Sequence, residues 1–226
     1  MKESNHKKGY LRANEIAKAV ETQGALNSDQ LRLLFFQDVS VQMACRVLSK
    51  MVEKKLLKRD RLSMSEPYFY YVNKRPGQVE HVLAVSWVYV WLRMNLRSWE
   101  KMHSFERETT NYRVLRPDGF VAIKNVWENK FRFCFIEMNI AESGNKFEKV
   151  AKYNTLYASE GYYGSWWVPL SDRFPPVIVV TTGREQQIRE CIKAENTNNL
   201  EFQVFTLDQI KEGCYYGSSS SSSLRT

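Results

Sequence analysis

The chain is poor in the residues that mark special chemistry. Its four cysteines (Cys45, Cys134, Cys191 and Cys214) are scattered, with no Cys-x-x-Cys pair. That argues against zinc and against a disulfide framework, and for reduced thiols. His6, His81 and His103 lie far apart, with no carboxylate or cysteine at ligand spacing; His81 reads as a helix-start residue. Gly161 and Gly164 are followed by neither a helix nor a Lys-Ser/Thr pair, so they form no phosphate-binding loop. No Ser-His-Asp or Cys-His nucleophile arrangement is visible. The most apolar run, Val79 to Met94, is too short and interrupted to cross a bilayer, and Met1 to Lys8 is polar with no apolar stretch behind it. These absences predict a cytoplasmic protein with no membrane partner.

What the chain does contain is a packed core and an uneven charge. Of 226 residues, 43% are hydrophobic and 13% aromatic, a composition that folds. Met1 to Pro76 holds 15 Lys and Arg against 8 Asp and Glu, a net +7. The remainder holds 18 against 17, a net +1, so nearly all of the +8 sits in the first third. A basic module joined to a near-neutral one points to a polyanion partner for the first.

Residues 1–76 read as three helices and a hairpin. Asn14 to Thr22 places Ile16, Ala17 and Val20 on one face. Ser28 gives an N-cap signal ahead of a stripe of Leu31, Leu34 and Phe35. After the short turn Asp38-Val-Ser40, Ser40 caps a third helix, Val41 to Glu53, with Ala44, Val47, Leu48 and Met51 inward. Two short strands then flank a polar tip from Asp60 to Glu66. This order predicts a winged helix-turn-helix domain that binds double-stranded DNA. Candidate contacts are Ser40, Gln42, Met43, Arg46, Ser49 and Lys50 on the third helix, with Lys58, Arg59 and Arg61 on the wing. They combine base-reading side chains with phosphate binders.

Pro76-Gly77 marks a boundary. Residues 77–212 open on a helix, Val79 to Met94, that is apolar almost all round. Strands are expected over Val114 to Ile123, Phe131 to Asn139, Val177 to Thr181 and Phe202 to Phe205. Helices are expected over Phe147 to Ala158 and Arg184 to Ala194. Alternating strand and helix indicate an α/β or α+β domain with a partly parallel sheet. Residues 213–226, with serine from Ser218 to Ser223, are expected to be a disordered tail. The aromatic run Tyr162 to Trp167 reads as cover for a core edge or as a stacking surface.

Within this domain, Asp118 begins one strand and Glu137 ends the next. Two carboxylates on paired strands supply oxygen ligands for Mg²⁺, and such an ion activates water at a phosphodiester. Glu108, with Glu106 and Glu100 as alternatives, would bring a third ligand. Nucleases of this layout carry a lysine two residues after the glutamate, where this chain has Asn139. Lys149 or Lys152 on the following helix would supply a migrated ammonium. Lys152 with Tyr153 is equally a phosphate-facing surface without chemistry.

The stretches "HVLAVSWVYVWL", "WEKMHSFERE", "LRPDG", "FCFIEMNIAESGNKFEKVAKYNTLY" and "VIVVTTGREQQI" resemble the replication-relaxation proteins of plasmids and mobile elements in Gram-positive bacteria. The resemblance spans most of Asn14 to Ile210. It implies a winged helix followed by a mixed-sheet domain similar to the restriction-endonuclease fold, and a role in plasmid replication and DNA relaxation. The family more often has an acid at the position of Asn139. The expectation is therefore a duplex-binding protein whose nuclease-like domain is an inactive platform for dimerisation or for replication and conjugation proteins. Its rivals are a Mg²⁺-dependent endonuclease using Asp118 and Glu137, and a transcription regulator whose second domain senses a ligand or partner.

Overall fold

The computed structural model describes residues 5–108, 112–140 and 147–216. The chain forms two compact units, Met1–Val90 and Trp91–Thr226. Together they make a mixed α and β protein with a three-stranded sheet, a five-stranded sheet and, among the described residues, seven α-helices.

The first unit contains α1 (Asn5–Gln23), β1 (Leu26–Asn27), α2 (Ser28–Phe35), α3 (Val41–Glu53), β2 (Lys58–Asp60) and β3 (Phe69–Tyr71). Gly24, at φ +75°, turns the chain out of α1 in a conformation that favours glycine. The N-cap of α2 is Asn27, one residue before the expected Ser28. Asn27 Oδ1 accepts from Gln30 N at 2.9 Å while Gln30 Oε1 accepts from Asn27 N at 2.8 Å, a reciprocal capping box. Ser40 caps α3 as expected, accepting from Met43 N. The sheet order is β1-β3-β2, antiparallel throughout. Ile16, Val20, Leu26, Leu31, Ala44, Leu48, Met51 and Tyr70 share one core beneath it.

A long helix, α4 (Val79–Met94), follows. The units divide inside it, at Val90–Trp91, and not at Pro76-Gly77. Its first half is held to the first unit: Val79 packs with Ala25 and Phe69, and Ser86 Oγ donates to Ala25 O at 2.9 Å. Gln30 Nε2 donates to Leu83 O at 2.8 Å.

The second unit is built on β4 (Glu100–Arg107), β5 (Gly119–Asn125), β6 (Lys130–Asn139), β7 (Val177–Thr181) and β8 (Phe202–Thr206), in that spatial order. β4, β5 and β6 are antiparallel; β6, β7 and β8 are parallel. Every residue of β7 is buried, as suits a central strand covered on both faces. One face carries Phe120, Phe133, Phe135 and Val179 against α5 (Lys149–Ala158) and α6 (Glu185–Glu195), through Tyr153, Leu156 and Ile188. On the other, Trp91 meets Phe205 of β8, with ring centroids 5.6 Å apart, and lies beside Gly213 of α7 (Leu207–Tyr216).

Three expectations need correction. β4 falls in a stretch read as polar connection, because only Phe105 of its eight residues is buried. β5 starts at Gly119 and not at Val114, since Pro117 lacks the N–H a ladder needs. Gly213 to Tyr216 belong to α7 and not to a disordered tail; the serine-rich 217–226 lies outside the described residues. No helix among the described residues is long and apolar enough to cross a membrane.

Gln30 is fully buried and satisfies both Asn27 N and Leu83 O. Gln30→Leu strands the buried Asn27 N, at ~1–3 kcal/mol, and removes a second bond to Leu83 O, a carbonyl inside α4 that keeps its helical partner. Urea unfolding of the full chain should therefore show the first unit weakened by roughly 1–3 kcal/mol; a loss below the threshold of detection would mean neither bond matters.

Candidate functional site

The β5–β6 ladder brings Asp118 and Glu137 to the same end of the sheet, since Gly119 stands opposite Ile136. Beyond that pair, the amide of Met138 donates to Asp118 Oδ2 at 2.7 Å. A carboxylate thus takes the place of the carbonyl that a longer β5 would offer.

Glu137 is 1% exposed. Tyr153 Oη donates to its Oε1 at 2.9 Å, and Lys149 Nζ lies 2.7 Å from its Oε2. Lys149 and Tyr153 are four residues apart on α5 and so share the face that meets the sheet. Lys149 Nζ also donates to Arg116 O at 2.9 Å, tying the turn before β5 to the same point. Burial, together with the negative charge of Asp118, pushes the Glu137 carboxyl up to about 8 against the pull of Lys149 and Tyr153. Burial and Glu137 raise the Tyr153 hydroxyl well above its usual range. Arg107, half-buried, sits where Glu108 and Asp118 both act on its charge.

Of the two lysines expected near the acids, Lys149 and not Lys152 stands beside Glu137. The side chain of Lys152 turns to Glu148 at 3.9 Å on an exposed face. Tyr153 is fully buried, so Lys152-Tyr153 is not a phosphate-facing surface. Glu108 pairs with Arg116, Glu100 with Arg132 at 3.0 Å, and Glu106 accepts from Ser104 Oγ at 3.5 Å. No group of three His, Cys, Asp or Glu side chains that could hold a metal ion comes together among the described residues. The expected Glu108, Asp118 and Glu137 ligand set is therefore not assembled. The two remaining acids do not fit a hard cation as arranged, because Tyr153 donates to one oxygen of Glu137, the Lys149 ammonium lies against the other, and Met138 N donates to one of Asp118. Asn139 anchors a loop: its Oδ1 accepts from Thr181 Oγ1 at 3.4 Å, and that hydroxyl accepts from Arg184 N at 3.2 Å, just before α6.

In the first unit, Gln42, Met43, Arg46 and Lys50 are exposed on α3, Ser49 is half-buried, and Ser40 serves as the cap. On the hairpin, the Arg59 and Arg61 guanidiniums lie 4.5 and 3.6 Å from the ring centre of Tyr68. Stacking of this kind fixes the charge in place. Tyr70 packs in the core with Ala44 and Leu48 of α3 and feels the charge of Arg59, so the hairpin adjoins α3. Lys58 Nζ donates to Asn73 O at 2.7 Å. The one acid of β2, Asp60, is engaged by the Arg61 amide and by Arg75 at 2.7 Å.

Lys149, Tyr153 and Arg107 are the members of these sites that the sequence did not single out as a set. Spacing four apart on a helix that follows an acid-ending strand was the available signal for the first two. Comparison with protein-family models, curated proteins and solved structures finds no match to this chain.

The ordinary value for the Glu137 carboxyl is 4.5, and the folded one is about 8. Between those values the folded protein binds more protons than the unfolded, so its stability falls as pH rises. Glu137→Gln removes that titration. The stability of the wild type relative to Glu137→Gln should decline from about pH 5 to about pH 8 in chemical unfolding; a constant difference would refute the shift.

Proposed function

We propose that the protein binds duplex DNA as a component of plasmid or mobile-element replication. The first unit acts as a winged helix-turn-helix, and the second is a nuclease-like platform that does not cut. The observation carrying this reading is the exposed face of α3, with Gln42, Arg46 and Lys50, set beside a hairpin whose Arg59 and Arg61 are held on Tyr68. A helix presents base-reading and phosphate-binding groups together, and an adjacent basic hairpin adds backbone contacts. The net +7 within Met1 to Pro76 supports a polyanion there. The resemblance to replication-relaxation proteins supports the biological setting, a cytoplasmic location, self-association, and replication or conjugation proteins as partners.

The engaged oxygens of Glu137 support a platform over a cutting centre. A second reading, metal-dependent cleavage at Asp118 and Glu137, draws on Lys149, which stands beside the two acids as an ammonium would in such a centre. It requires Lys149 to leave Glu137.

Two measurements test the proposal. Duplex binding by the full chain should weaken steeply with salt. Arg46→Ala should cost roughly 1–3 kcal/mol on a specific site if Arg46 meets a base edge. Salt-independent binding, or binding untouched by Arg46→Ala with Lys50→Ala, would refute the duplex surface.

Supercoiled plasmid incubated with the protein and Mg²⁺ should remain supercoiled. Nicking that Asp118→Ala and Lys149→Ala both abolish would establish the cutting reading instead.

A further inference from the structure

We infer that the end of the five-stranded sheet formed by β4, β5 and the β5–β6 turn binds single-stranded nucleic acid, with phosphate between Lys101 and Lys124 and a base on Trp127. The surface lies wholly in the second unit, so it stands whether or not α3 binds duplex.

A hollow of about 370 Å³ opens there, lined by Lys101, Met102, His103, Lys124 and Val126. Lys101 and Lys124 are direct partners in the β4–β5 ladder. Like charges in that position repel and destabilise the sheet. The acids nearby are committed elsewhere: Glu100 forks onto Arg132 and Glu128 lies 3.8 Å from Lys130. Lys124 rests 5.4 Å from the ring centre of Phe131, which lies across from it on β6.

The ladder shifts register between Met102 and Ser104, and His103 is the extra residue. Such a bulge re-aims a side chain. Here the His103 ring lies 5.2 Å from Phe131 and 5.9 Å from Trp166, on the face that carries the two lysines. Two ammonium groups and an imidazole therefore converge on one hollow whose lining contains no acid. An anion placed there relieves the repulsion.

Beside the hollow stands an aromatic stack. Trp99 and Trp127 are 5.0 Å apart and 26° from parallel, with Arg97 lying 5.6 Å from the centre of Trp99. Val126 N donates to Trp99 O at 2.9 Å, which fixes the stack against the hollow that Val126 lines. Trp127 is 74% exposed, so only one of its faces is covered, by Trp99. A phosphate site adjoining an open indole matches the repeating unit of a single strand, whose base faces are free to stack. Duplex DNA hides those faces, and free phosphate makes no use of the indole.

The test uses the full chain in an Arg46→Ala, Lys50→Ala background, with a labelled oligodeoxythymidylate of about 16 nucleotides followed by fluorescence anisotropy. The background protein should bind it in a salt-dependent way, and Trp127→Ala should weaken binding about 5- to 100-fold. Lys101→Glu should weaken binding and also raise the melting temperature, because it converts a repulsive cross-strand pair into an attractive one. A stabilised protein that binds less cannot be a folding artefact. The proposal is overturned if Trp127→Ala and Lys101→Glu both bind like the background. It is also overturned if the background has lost single-strand binding, or if inorganic phosphate at millimolar concentration displaces the oligonucleotide completely.

Discussion

A carboxyl group buried in the middle of a sheet obliges its surroundings to answer it, and Glu137 is such a group. An isolated ionised carboxylate in an apolar interior is prohibitively costly, so it must be paired, hydrogen-bonded or protonated. Here Lys149 and Tyr153 from α5 reach its two oxygens. Those contacts set the position of α5 over β6, because residues four apart on one helix face can meet one carboxylate in only one register. Lys149 extends the arrangement to Arg116 O, and Asp118 in turn holds Met138 N. The turn before β5, the end of β6 and the start of α5 are thus linked through one buried acid.

The same arrangement weighs against ligand chemistry at that point. A hard cation must find free oxygens, and the lone pairs of Glu137 already face an ammonium and a phenol. Asn139, two residues on, has been drawn into the loop ahead of α6 through Thr181. What would be the outer edge of a metal site is therefore spent on joining β6 to the parallel half of the sheet. Nearby, Asn154 plays a comparable linking part: its Oδ1 accepts from Asn198 N at 2.9 Å and its Nδ2 donates to Glu195 O at 3.0 Å.

Where the apolar pattern was strong, as a stripe or as an unbroken run, the elements could be read from the sequence. α3 and its Ser40 cap, α4, and the fully buried β7 fall where the residues placed them. β4 was not legible, because an edge strand with one buried residue leaves no alternation to find. β1 escaped because it is only two residues long; Leu26 and Asn27 pair with β3 because the three-dimensional fold brings Tyr70 and Phe69 alongside. In the site, the pairing of Asp118 with Glu137 could be inferred from their place on successive strands. The choice of Lys149 over Lys152 could not, since it depends on which face of α5 meets the sheet.

Composition conceals the second charged surface for a physical reason. After residue 76 the chain is close to neutral, with 18 basic against 17 acidic residues. Neutrality in the sum does not mean neutrality in space. Glu137 is taken by Lys149, Glu108 by Arg116, Glu100 by Arg132 and Glu201 by Arg173. Each such pair cancels locally and removes an acid from the field felt by the rest of the surface. Lys101 and Lys124 are left facing each other across a bulged edge, beside an exposed indole. A local field of one sign can therefore arise in a near-neutral unit, because short-range pairing decides which charges remain to act at a distance.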